Sequence, residues 1–118
     1  MILVDTSVWI DHLRNADPRL TRLLLNEQVL CHPFVVGELA CGTMRRRVEV
    51  LSLLQHLPTA PPVDHDEVLS FVDGHRLMGA GLGWVDANIL ASTCLSGQQL
   101  WTKDRRLAAA AGRLGVAA

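Results

Sequence analysis

Short apolar runs alternating with helix-patterned segments predict an α/β domain with a mainly parallel central sheet of four to five strands. The first observation is Met1-Ile2-Leu3-Val4, an unbroken apolar run of the kind found in strands buried on both faces. The second is that each such run is followed by residues with apolar side chains at three- and four-residue spacing. At 118 residues the chain has the size of one domain around one core, residues 1–118.

The elements follow in order. After Asp5, Ser7–Arg14 has helical spacing at Trp9/Leu13 and Ile10/Leu13. Asp17-Pro18 reads as an N-cap followed by proline at the first helical position, with Leu20, Leu23 and Leu24 as the apolar stripe and Asn26 as the stop. Gln28–Cys31 forms a second strand. Pro33 starts a helix that the pattern carries through Glu38 to about Arg47, and Leu51, Leu54 and Leu57 continue helically until Pro58. Pro58–Pro62 is a loop around a short third strand. Asp64-His65-Asp66-Glu67 resembles a capping box, with Val68, Leu69 and Val72 as the buried face behind it. Gly79, Gly81 and Gly83 mark a turn before Trp84. Asp86–Leu95 is helical, Gln99–Thr102 a strand, Asp104–Ala111 a helix closed by Gly112, and Leu114-Gly115-Val116 a last edge strand.

Composition narrows the function. Net charge is −1, which excludes a strongly basic nucleic-acid module. Arginine outnumbers lysine ten to one. With 49% apolar residues and a mean hydropathy of +0.22, part of the apolar surplus is available to cover a partner surface. No run approaches the ~18 apolar residues of a membrane span, and no secretory signal pattern opens the chain. Cys31, Cys41 and Cys94 are odd in number and widely spaced, which argues against a disulfide framework or a thiolate zinc site and fits a reducing cytoplasm. The five histidines show no H-x-x-x-H or H-E-x-x-H spacing.

The chemistry lies in four of the twelve acids, Asp5, Glu38, Asp86 and Asp104, each set into or against an apolar segment. An ionised carboxylate near a core is costly unless a charge, a metal or several hydrogen bonds compensate it. Asp5 and Asp104 fall at the carboxyl ends of strands, where open α/β sheets bind their ligands. Asp86 stands at a helix N-terminus, and Glu38 one turn into a helix. Taken singly, Asp86 and Asp104 read more readily as helix caps, and Glu38 equally as an exposed helix residue. Asp5 is the least ordinary, because aspartate is poor in strands. Together they form a hard-oxygen set suited to Mg²⁺ or Mn²⁺. Such ions favour in-line displacement at phosphorus, so the chemistry suggested is cleavage of a phosphodiester.

Four segments carry a family resemblance: Val4-Asp5-Thr6-Ser7-Val8-Trp9, Val36-Gly37-Glu38-Leu39-Ala40-Cys41-Gly42, Val85-Asp86-Ala87-Asn88-Ile89-Leu90-Ala91 and Leu100-Trp101-Thr102-Lys103-Asp104. In this order they resemble the PIN domain, and more narrowly the VapC-type ribonuclease toxins of bacterial toxin–antitoxin pairs. The resemblance implies a three-layer α/β/α fold and a Mg²⁺- or Mn²⁺-dependent endoribonuclease acting on structured RNA such as tRNA or rRNA. It implies Asp5, Asp86 and Asp104 as metal-binding aspartates and Glu38 as a metal or water ligand. Thr6 or Ser7, and Thr102, correspond to hydroxyls that orient the acids or the water. It further implies a homodimer and a small VapB-type antitoxin, through which alone the protein would meet DNA. Some relatives carry an additional acid near the third motif, whereas the nearby polar residue here is Asn88.

RNA must also be held, and Arg105, Arg106, Arg45, Arg46 and Arg47 are the candidate phosphate contacts, with Arg76 and Lys103 as outlying ones. Arg45–Arg47 fall towards the predicted helix C-terminus, where cations are favourable in any case. Trp9 and Trp84 read either as base-stacking rings or, more readily, as packing. Two rival classes remain: a phosphoacceptor receiver-like domain, which would need an aspartate ending a third strand where Leu57–Val63 offers none, and a non-catalytic α/β binding module.

Overall fold

The computed structural model describes residues 1–118. Strand β1 (Ile2–Val4) lies in the middle of a three-stranded parallel sheet of order β2-β1-β3, with β2 (Val29–Leu30) and β3 (Gln99–Trp101) on either side. Leu3 pairs with Leu30 and Leu100, and Val4 with Trp101. Leu3 and Val4 point to opposite faces of the sheet, and both are 0% exposed. Helices therefore cover both faces, as parallel strands require.

Seven helices supply that cover: α1 (Thr6–Arg14), α2 (Pro18–Leu25), α3 (Pro33–Cys41), α4 (Arg47–His56), α5 (His65–Gly74), α6 (Trp84–Leu95) and α7 (Arg105–Arg113). Asp17 caps α2 as its sequence suggests, accepting from the N–H groups of Arg19 and Leu20. Helix α6 is buried all round from Ala87 to Thr93, which places it centrally, packed on α5, β3 and α7. Two of its polar residues satisfy themselves within the helix. Asn88 donates to the Trp84 carbonyl and Thr93 to that of Ile89.

The sheet is smaller than the expected four to five strands. Pro58–Pro62 makes one parallel bridge, Cys31 to Thr59, fixed by bonds from Cys31 N to Pro58 O and from Ala60 N to Cys31 O. Pro58, Pro61 and Pro62 have no N–H to extend that ladder. On the other edge the pairing is again a single bridge, Leu100 to Ala117, because Leu114 and Gly115 close α7 instead of forming a strand. Gly112, expected to end that helix, lies inside it. The turn falls at Gly115 (φ 74°), whose N–H reaches Gly112 O while Val116 N reaches Ala111 O.

Two further expectations are corrected. The helix predicted from Pro33 to Arg47 stops at Cys41, where Gly42 turns extended, and a new helix starts at Arg47 after Arg46 in the left-handed region (φ 53°). Arg45–Arg47 thus sit at a helix N-terminus, and the favourable C-terminal placement expected for them does not apply. The Asp64 capping box does not form, since Asp64 precedes α5 without a side-chain bond. Val68 and Phe71 are the buried residues of that helix, while Leu69 is exposed.

Candidate active site

Chain geometry brings Asp5 and Thr102 together at the carboxyl edge of the sheet. Asp5 N donates to Trp101 O at 2.9 Å, carrying the β1–β3 ladder one residue past the strands. Both chains then turn into helices, α1 and α7, so the side chains at these turns face a common space.

Asp5 forms the floor of that space and is 5% exposed. Its Oδ2 accepts from Ser7 Oγ and from Thr102 Oγ1, both at 2.8 Å. Each hydroxyl is in turn held from behind. Lys103 N donates to Ser7 Oγ at 3.0 Å, and Asp104 N donates to Thr102 Oγ1 at 3.1 Å. Backbone N–H groups of the β3–α7 turn therefore fix two hydroxyls, which fix one carboxylate oxygen and leave Oδ1 without a protein donor.

The other acids are graded outward. Asp86 is half-buried in the first turn of α6, where Gly83 N donates to its Oδ2 at 3.2 Å. Burial pushes its carboxyl above the usual range; the Gly83 bond opposes this, while negative charge on Asp5 and Asp104 adds to it. Asp5, Asp86 and Asp104 are thus one electrostatic group. Asp104 is exposed and caps α7 through Oδ1, accepting from Leu107 N at 2.9 Å. Glu38 is exposed on α3 and tied to the site by Thr6, whose Oγ1 donates to Glu38 Oε1 at 2.6 Å. The structure thus joins Asp5 to Ser7 and Thr102 by direct bonds, Glu38 to Thr6, and Asp86 to Asp5 and Asp104 through the field.

No basic side chain neutralises these four acids. The molecule's ion pairs both involve Lys103, which reaches Asp11 at 2.9 Å and Asp17 at 3.8 Å, away from the site. Lys103, an outlying phosphate candidate, is therefore engaged elsewhere. As placed, no three acidic, histidine or cysteine side chains stand close enough to hold one metal ion between them. The donor chemistry nevertheless fits a hard cation: oxygen atoms only, and no positive partner.

The remaining candidates separate clearly. Arg47 bonds the Ala40 carbonyl through Nε and Nη2, closing the C-terminus of α3. Arg45 and Arg46 are exposed on the α3–α4 turn, and Arg105 on the first turn of α7. Trp9 is 4% exposed, so it packs in the core and no base can stack on it. Trp84, 41% exposed, lies against His65 with ring centroids 4.9 Å apart.

Sequence reasoning missed a buried polar relay behind the site. His32 Nδ1 accepts from Phe34 N at 3.0 Å, and its Nε2 lies 3.0 Å from Ser92 Oγ, which donates to Pro61 O. These bonds require the Nε2–H tautomer. The available signal was the place of His32, an N-cap position immediately before Pro33.

The PIN domain family matches residues 2–113. With the parallel sheet and the acids at its carboxyl edge, this establishes that the chain belongs to the PIN-domain family. Within that family it is similar to Ribonuclease VapC32 of Mycobacterium tuberculosis, from strains CDC 1551 / Oshkosh and ATCC 25618 / H37Rv. Identity to each is 56% over 118 residues, covering 99% of this chain and 95% of theirs.

Proposed function

We propose that this chain is a divalent-metal-dependent endoribonuclease and the toxin of a toxin–antitoxin pair. The observation that carries the reading is the uncompensated group of Asp5, Asp86 and Asp104, in a chain 56% identical to a protein named as a ribonuclease. Asp5, Asp86 and Asp104 would hold Mg²⁺ or Mn²⁺, with Glu38 as a further ligand or as the group that orients the attacking water. When bound, the ion supplies Lewis-acid polarisation of a phosphoryl oxygen and a more acidic water.

The protein's own residues supply the rest. Ser7 and Thr102 fix Asp5 through Oδ2 and leave Oδ1 without a protein donor, so the deepest carboxylate loses little freedom when it acts. Thr6 holds Glu38 at the rim, where it can accept a proton from water approaching the phosphate. The first turns of α6 and α7 present Asp86 and Asp104 already bonded to Gly83 N and Leu107 N, which limits the number of arrangements each can adopt.

The substrate we propose is structured RNA, tRNA or rRNA, which exposes splayed single-stranded loops for cleavage. A partner is supported by apolar side chains left in water on helices that pack in succession. Ile10 and Leu13 lie on α1, Phe34 on α3, and Val48 and Leu53 on α4, the last two 78% and 69% exposed. We assign these faces to a second copy and to a small VapB-type antitoxin. No helix is long and apolar enough to cross a membrane. Three unpaired cysteines suit a reducing cytoplasm.

The test is cleavage of bulk tRNA and rRNA by purified protein with Mg²⁺, Mn²⁺ or EDTA. Activity should vanish in EDTA. Asp5→Asn should lose more than the ~100-fold at the upper end of what outer-shell partners cost. Equal cleavage in EDTA, or full activity in Asp5→Asn, would overturn the mechanism.

A further inference from the structure

Gly81 has φ 78° in the loop that leads to Gly83 and Asp86. A Cβ placed on it would stand 2.5 Å from Arg106 Cδ, 2.7 Å from Nη1 and 2.9 Å from Nε. The Arg106 side chain therefore packs closely against the bare glycine, from Cδ to Nη1. Arg106 belongs to the first turn of α7, two residues after Asp104, and Gly81 comes two residues before the glycine that bonds Asp86. The side chain thus reaches from the start of α7, beside Asp104, to the loop that leads into α6 and Asp86.

Its donors are not consumed. Arg106 makes no ion pair and is absent from the protein's side-chain hydrogen bonds. The contrast with other arginines is direct: Arg47 is spent on Ala40 O, Arg113 on His75 O, and Arg19 stacks 4.3 Å from the Trp101 ring centroid. Arg45, Arg46, Arg105 and Arg106 are all exposed, and of these Arg106 is the one that packs against a glycine. A guanidinium seated in advance loses less freedom per bond formed with phosphate, and its planar fork suits two phosphate oxygens at once.

We propose that Arg106 grips an RNA phosphate beside the acids, and that Gly81 is the positioning residue that makes room for it. The inference rests on the ribonuclease reading and deepens it by choosing among the candidate arginines.

The backbone supplies its own control. Gly79 has φ 75°, like Gly81, but a Cβ on it would meet nothing within 4 Å. Gly79→Ala and Gly81→Ala carry the same left-handed strain, and only the second displaces Arg106. Two measurements on each variant make the test. One is kcat and KM for bulk tRNA in Mg²⁺. The other is filter binding of bulk tRNA in EDTA across a NaCl series. Arg106→Ala should raise KM about tenfold, the worth of one charge-assisted hydrogen bond, with kcat nearly unchanged. Its slope of log affinity against log salt should become shallower by roughly 0.7 to 1. Gly81→Ala should share the KM rise, Gly79→Ala should match the wild type, and the Gly81→Ala/Arg106→Ala pair should be no worse than Arg106→Ala alone. Unchanged KM and salt slope in Arg106→Ala would overturn the inference, as would equal effects of Gly79→Ala and Gly81→Ala. If the wild type itself leaves every RNA intact in Mg²⁺ and Mn²⁺, it is the ribonuclease reading that falls.

Discussion

Ser7 and Thr102 show how much of this site is built from groups that carry no charge. Each hydroxyl has one proton, and both protons go to the same oxygen of Asp5. Their own lone pairs accept from Lys103 N and Asp104 N, so the carboxylate is oriented by the backbone through two intermediates. Ser7→Ala and Thr102→Val should each lower cleavage about 10- to 100-fold while leaving the fold intact, read as kcat/KM for tRNA beside a circular-dichroism melt. At this scale the sequence was informative about identity and silent about linkage. Asp5 stood out because it ends an apolar run, and Asp104 because it follows one. That Lys103 turns away to Asp11 and Asp17, or that Arg106 packs against Gly81, depends on side-chain directions that spacing along a chain does not encode.

Element ends were legible where the local chemistry was strong, as at Asp17-Pro18 and Asn26, and illegible where tertiary contacts decided. The helix from Pro33 stops at Cys41 because Gly42 turns extended and Arg47, arriving from the next helix, satisfies the Ala40 carbonyl. No periodicity announces that contact. His32 is the other element-scale device: it caps α3 and, through Ser92 and Pro61, ties that helix to α6 and to the loop after α4. Burial lowers its pKa from 6.5 to about 4. The unfolded chain therefore takes up this proton first as pH falls. The stability in question is complete above about pH 6.5 and declines between there and about 4, by roughly 3 kcal/mol in all. Thermal melts at pH 7, 5.5 and 4 should show the decline. His32→Asn, which keeps a capping acceptor and removes the titration, should flatten it; an unchanged pH dependence in that variant would contradict the assignment.

For the whole molecule, the fold class was readable because Leu3 and Val4 sit in a continuous apolar run, and a strand buried on both faces demands helices on both sides. Strand number was not readable, since Pro58–Pro62 and Leu114–Val116 have apolar content without the donors or the length to build a ladder. The apolar surplus in the composition reappears as Val48, Leu53 and their neighbours on α4, α3 and α1. Sedimentation velocity should accordingly show a dimer at micromolar concentrations, and a monomer at all concentrations would remove one of the two partners assigned to these faces. What unites the molecule is the position of three acids at three separate points of the fold, Asp5 just after β1, Asp86 in the first turn of α6 and Asp104 at the N-cap of α7, each held by hydrogen bonds yet none matched by a cation of the protein's own. Calorimetric titration with Mn²⁺ tests this most directly. The account predicts binding to the wild type through these unneutralised carboxylates. It also predicts weakening as pH falls, and loss of binding in an Asp5→Asn/Asp86→Asn variant. Mn²⁺ binding of equal strength in that double variant would contradict it.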